Sequence, residues 1–181
     1  METKRSSTPK YFAEGELPPR MFLSDGTELR LVPPERTRSP LYVSKMGVCY
    51  GISSRRFKQI KPHMICNPRY AKKGHKQHKA YQLSASYNNL LVHHAVLLAW
   101  VGAPPEGYEC DHINGDSLDN RLCNLEWVTH QENMRRRAEM YNRRGKGFNG
   151  KRLTAEGKRA IRQRRTLRLI QLEIDFDEIE N

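Results

Sequence analysis

Residues 110–133 read CDHINGDSLDNRLCNLEWVTHQEN, and their order decides the architecture. An Asp-His pair, Asp111-His112, is followed at once by the tight-turn sequence Asn114-Gly115-Asp116. Asn124 then precedes Leu125-Glu-Trp-Val128, and Thr129-His-Gln-Glu132 has the Ser/Thr-x-x-Glu form of a capping box. The box predicts a helix running through Asn133 to about Tyr141. Side chains that hold cations or move protons are dense here, in a chain that is otherwise basic and ordinary.

Working outward, residues 90–101 (LLVHHAVLLAWV) are apolar nearly all round and too short to cross a bilayer, so they read as a core helix. Pro104 and Pro105 forbid its continuation. This helix is expected to supply the core on which residues 110–133 pack. Further upstream, residues 21–32 hold an Asp25-Gly26 turn at their middle and read as a strand or an edge hairpin. Residues 41–52 alternate β-formers around Lys45-Met46-Gly47, a second hairpin signal, and Tyr81-Gln82-Leu83 resumes an extended pattern. The rest of residues 1–40, rich in Pro, Ser, Thr and charge, reads as a flexible arm. Downstream, residues 143–150 (RRGKGFNG) form a hinge. Thr154 can then cap a last helix with Ala160, Leu167, Ile170 and Ile174 on one apolar stripe.

Lys and Arg number 32 against 20 acids, a formal charge of +12. A surplus of that size suits a polyanion, because each neutralised phosphate releases condensed counter-ions. The cations are blocked rather than dispersed. Residues 53–79 carry Arg55, Arg56, Lys58, Lys72 and Lys73 among others. Residues 134–170 hold 14 Lys/Arg and 2 acids, including Arg135, Arg136, Arg137, Arg143 and Arg144, whereas residues 171–181 hold 5 acids and no base. The basic part reads as a phosphate-facing arm, with an acidic end to shield it when no DNA is present. No apolar run approaches the ~18 residues of a membrane span, and residues 1–10 lack the apolar stretch of a signal peptide. Cys49, Cys66, Cys110 and Cys123 form no C-x-x-C pair and read as reduced thiols of an intracellular protein. Cys66 with His75 and His78 is a weak zinc set. The mean hydropathy of −0.82 implies a modest core with solvated segments around it.

Asp111, His112 and Asn133 match the needs of phosphodiester hydrolysis: an activated water, a cation at the crowded phosphorus and help for the leaving oxygen. Asp111 offers a hard carboxylate for Mg²⁺, and Asn133, one turn inside the capped helix, offers an amide oxygen. His112 can take a proton from water near neutral pH. Neighbours on a strand point to opposite faces, so the pair serves metal and water together only if the backbone bends between them. The segment is not an EF-hand loop, because Ile113 occupies a required ligand position.

The run from Val92-His93-His94 through Trp100, then CDHINGDxLDNRLxNLEWVTxxEN, resembles the HNH (His-Asn-His) nucleases, particularly the homing endonucleases of phages and mobile introns. The resemblance covers about residues 91–137. It implies that His112 is the general base and that Asp111 and Asn133 are metal ligands, Asn133 standing where relatives often have the final His. It further implies that Asn124 braces the loop and orients the base, and that His93 lies near the cleaved phosphate. His94 departs from the Arg of many relatives. Residues 42–83 are similar, more weakly, to a small DNA-binding module that often precedes such nucleases.

The expected fold is therefore α+β: a strand-rich N-terminal region, a ββα-metal (His-Me finger) nuclease unit and a basic C-terminal helix. Expected boundaries are an arm over 1–40, a DNA-binding module over 41–90, the nuclease unit over 91–141, and hinge plus helix over 142–181. The expected activity is Mg²⁺- or Mn²⁺-dependent hydrolysis of double-stranded DNA, with one ion per site. A monomer that nicks, with a site preference like that of a homing enzyme, is the expected form, in the cytoplasm of a bacterium or phage-infected host. Two alternatives remain open at this point. One is a non-catalytic DNA-binding or phage accessory protein using the same unit as a scaffold; the other is an RNA nuclease.

Overall fold

A computed structural model describes residues 17–53, 56–66, 79–143 and 155–179. Contacts gather the chain into two compact units, Met1–Ala103 and Pro104–Asn181.

The first unit is built on a five-stranded antiparallel sheet in sequential order, β1 (Arg20–Phe22), β2 (Glu28–Leu31), β3 (Leu41–Ser44), β4 (Cys49–Ser53) and β5 (Arg56–Ile60). Both sequence-predicted hairpins are present. At the first, Asp25 Oδ1 accepts from Thr27 N at 2.9 Å and Gly26 takes φ +82°, a left-handed conformation that favours glycine. At the second, Gly47 takes φ +79° and its N–H donates to Ser44 O at 3.0 Å. The segment read as an arm thus includes two strands, and Leu29 and Val32 are wholly buried. Their burial, worth about 1.5–3 kcal/mol each, holds this stretch in the sheet against its polar composition. A separate pair, β6 (His63–Cys66) and β7 (Lys79–Gln82), follows.

The first helix, α1 (Val92–Trp100), buries Val92, Ala95, Val96, Leu97, Leu98 and Trp100. It packs within this first unit against β2, β3 and β7. The Trp100 indole donates to Val43 O at 3.1 Å, while Arg30 and Lys45 lie over its ring at 4.6 and 5.1 Å. Gly51 on β4 leaves room for the Tyr87 hydroxyl, which any Cβ there would strike.

The second unit is a hairpin and two helices. Strands β8 (Tyr108–His112) and β9 (Leu125–Thr129) pair antiparallel, with Asp111 opposite Glu126 and His112 opposite Leu125. Helix α2 (His130–Arg143) begins where the capping box placed it, with Thr129 Oγ1 accepting from Glu132 N at 3.2 Å. The order β8, β9, α2 is the ββα arrangement, so the α+β expectation is met. Ile113, Leu122, Leu125, Val128 and Leu172 are its buried apolar side chains among the described residues.

Helix α3 (Ala155–Ile179) packs on the 3-10 turn Leu122–Asn124 of the same unit. The apolar stripe read from sequence is out of phase with the docked face. Leu167 and Ile170 are exposed, at 60% and 47%, and the side chain of Ile174 lies outside the described residues. The face turned inward carries Arg164, Arg165 and Leu172 instead. Carboxylates on the hairpin select that face, because leaving them partly buried and unpaired costs more than exposing two aliphatic side chains. Among the described residues no helix is long and apolar enough to cross a membrane.

Candidate active site

The loop between β8 and β9 is held by its own polar side chains. Asn124 is wholly buried. Its Oδ1 accepts from Asn114 N at 3.0 Å, and its Nδ2 donates to Asn114 Oδ1 at 3.0 Å and to Asp119 O at 2.8 Å. Asn114 Nδ2 donates to Asp119 Oδ2 at 2.9 Å, and Asp119 takes two bonds from Arg121 at 2.7 Å. Arg121 accordingly holds the Asp119 carboxyl below its ordinary range. Such a network fixes atoms rather than merely burying area.

His112 ends β8 immediately before this loop. Its Nε2 lies 3.2 Å from Asn120 Oδ1. With that oxygen as acceptor, Nε2 carries the proton and Nδ1 is the basic nitrogen. Burial pushes the His112 pKa down, outweighing the upward pull of Asn120 and of Asp111, Asp116 and Asp119. The shift favours the neutral ring, the state a proton acceptor needs. Asn120, itself buried, is a site residue that sequence reasoning missed. Nothing in its spacing distinguishes it from the other loop polar residues.

β8 runs through His112 without a break, so Asp111 and His112 leave on alternate sides. The chain turns only afterwards, where Gly115 N donates to His112 O at 2.7 Å. On the Asp111 side stand Glu109, two residues earlier, and the cross-strand partner Glu126. Helix α2 crosses this face. Asn133 Nδ2 donates to Glu109 Oε1 at 2.6 Å, and His130 Nδ1 lies 3.3 Å from the same oxygen. One turn further on, Arg136 reaches Asp111 Oδ2 at 3.3 Å and Glu126 Oε1 at 2.7 Å, and also pairs with Glu132. Arg164 of α3 donates to Asp111 Oδ2 at 3.1 Å and pairs with Glu126. Arg165 lies 3.4 Å from Cys123 Sγ and 3.5 Å from Asp119. Asp111 and Asn133 thus come to one strand-helix junction, as an anionic and a neutral oxygen donor. That donor set fits a hard divalent cation, which takes one or two protein oxygens and completes its shell with phosphate and water. No group of three His, Cys, Asp or Glu side chains among the described residues is disposed as a metal cluster.

The match to known proteins falls on these same elements. Residues 90–135 match the family model described as HNH endonuclease. This segment, about a quarter of the chain, is thus similar to the HNH endonucleases. An uncharacterized HNH endonuclease of Acanthamoeba polyphaga mimivirus is 51% identical over 45 residues, which is 24% of this chain and 11% of that protein. A solved structure titled "DNA binding and cleavage by the HNH homing endonuclease I-HmuI" is 22% identical with a TM-score of 0.37, covering 66% of this chain and 58% of that one. The chain therefore spans about a tenth of its viral relative and somewhat over half of the solved one. The HNH match includes α1 of the first unit, where the rings of His93 and His94 meet edge-on at 4.7 Å.

The cations assigned to phosphate from sequence have mixed surroundings. Arg136 is 19% exposed and held by three carboxylates, and the exposed Arg135 pairs with Glu132 and Glu139. Lys58 on β5 and Arg137 on α2 are exposed. Arg55, Lys72, Lys73 and Arg144 lie outside the described residues, as do His75 and His78 of the weak zinc set and the side chains of Arg56 and Arg143.

Proposed function

We propose that the protein is a divalent-metal-dependent endonuclease that hydrolyses phosphodiester bonds of double-stranded DNA, acting as a monomer that nicks at preferred sites. The observation that carries this reading is one hairpin bearing the Asp111 carboxylate and the half-buried His112 imidazole, with the Asn133 amide bonded to Glu109 of the same hairpin. HNH endonucleases typically use a divalent metal. A bound Mg²⁺ or Mn²⁺ ion would neutralise charge at phosphorus and at the leaving oxygen.

In this reading Asp111 and Asn133 hold the ion. His112 Nδ1 takes the proton of the attacking water, leaving 5′-phosphate and 3′-hydroxyl ends; this requires the turn that begins at His112 to bring the imidazole round to the phosphate held on the Asp111 side. Asn120 fixes the tautomer of His112, and Asn124 acts on the base only through the loop it braces. The formal charge of +12 supports a nucleic-acid partner, with Lys58, Arg137, Arg143 and Arg144 among the candidate phosphate contacts. Arg135 and Arg136 also pair with carboxylates. A bacterial or phage-infected cytoplasm is the proposed setting.

A plasmid assay tests the proposal. Supercoiled plasmid with Mg²⁺ and the full chain is expected to yield relaxed circles, and His112→Ala to lower that rate at least about a hundredfold. No relaxed product from the wild type, or equal product from His112→Ala, overturns it. The competing reading, a DNA-binding scaffold without cleavage, draws support from the two arginines on Asp111 Oδ2. It expects salt-sensitive binding and intact supercoils in the same tubes.

A further inference from the structure

We propose that Glu109 is a positioning residue that decides which end of the Asn133 amide is offered to the metal. The proposal rests on the reading of Asn133 as a metal ligand. A carboxamide has two ends of nearly equal size, and a half-turn of the side chain exchanges them. Only the oxygen end binds a hard divalent cation. Nothing in Asn133 itself chooses between the two.

Glu109 makes the choice. An ionised carboxylate accepts hydrogen bonds and donates none, so the group 2.6 Å from its Oε1 must be the amide nitrogen. Turned the other way, Asn133 would set two oxygens against each other at that distance. With Nδ2 held, Oδ1 is directed away from Glu109. The bond is charge-assisted, and so about twice as strong as a neutral one.

The position of Glu109 is itself determined by the fold. It pairs with Val128 across the hairpin and stands two residues before Asp111, on the same face of β8. His130, three residues before Asn133 on α2, lies 3.3 Å from the same Oε1. Glu109 therefore sits over the first turn of the helix.

Mn²⁺ binding provides the test, read as loss of the free-ion electron paramagnetic signal on titration. The full chain carrying His112→Ala, bound to a DNA duplex, keeps cleavage from interfering. Asn133→Ala is expected to weaken Mn²⁺ binding, which checks the ligand reading. Glu109→Ala is expected to weaken it about tenfold. Glu109→Gln, which preserves packing and can either accept or donate, should fall between wild type and Glu109→Ala. In an Asn133→Asp background the two oxygens are equivalent, so removing Glu109 should not weaken binding at all. The proposal is overturned if Glu109→Ala leaves Mn²⁺ affinity unchanged while Asn133→Ala lowers it. An equal loss from Glu109→Ala in both backgrounds overturns it too, since a purely structural role would act regardless of residue 133. If Asn133→Ala has no effect, the ligand reading falls and takes this proposal with it.

Discussion

The unit Met1–Ala103 and the unit Pro104–Asn181 keep their shapes with different materials. In the first, the described interior is a sheet face and a helix face of Leu, Val, Ala and aromatic side chains, with Leu41, Val43, Val96 and Leu97 wholly buried. In the second, a few apolar side chains share the interior with Asn120 and Asn124, and arginine-carboxylate pairs join both helices to the hairpin. Apolar burial is non-directional and specifies a region. Polar networks specify atoms, at the risk of unpaired groups if any member is lost. The unit that carries the proposed site uses the second device.

That contrast predicts unequal responses to mutation, measured by segment-resolved hydrogen exchange on the full chain. Leu97→Ala should cost about 3 kcal/mol and raise exchange across the N-terminal sheet and α1. Asn124→Ala should cost about 2 kcal/mol, because the Asn114 amide and the Asp119 carbonyl lose their partner, with exchange rising in residues 113–124. Equal spread of either effect over both units would break the comparison. Arg164→Ala should cost about 1 kcal/mol and raise exchange over residues 155–172, since its ion pairs are partly open to water. Added salt should loosen the same helix in the wild type; a salt-insensitive α3 would mean that Leu172 alone seats it.

Acid should separate the units in direction. The His112 pKa is lowered by burial, so its contribution is full above the unfolded value near 6.5 and is lost as pH falls through the lower folded value. Glu132 is pulled down to about 2 by Arg135 and Arg136, so its contribution is present above about 4.5 and fades as pH falls toward 2. Both signs weaken the second unit in acid. In the first unit Asp25, lowered by its bond from Thr27, shifts in the same sense, while Tyr42, Cys49, Tyr50 and Tyr87 are raised by burial and count against stability only as pH rises. Exchange at pH 4 should therefore increase first in residues 104–143.

Much of this was legible in the residues. Asp25-Gly26 and Lys45-Met46-Gly47 announce their hairpins because the turn chemistry is local, and Thr129 announces α2 because its hydroxyl bonds three residues away. The face of α3 was not legible. Its orientation depends on Asp111 and Glu126, which stand 53 and 38 residues from Arg164, and a stripe count within the helix cannot weigh them. Asn120 was hidden for the same reason, since only loop closure brings it to His112. Glu109 did carry a signal, the two-residue spacing from Asp111 that puts both on one face of a strand.

The attachment of α3 is also a matter of effective concentration. Eleven residues, 144–154, connect it to the helix before, and a short tether holds a segment near its docking surface at millimolar levels without any added contact. A single cut in that stretch would turn α3 from part of the fold into a free peptide ligand. Its grip on the hairpin would then fall with dilution, and any basic helix presenting two arginines at the same spacing would become its competitor.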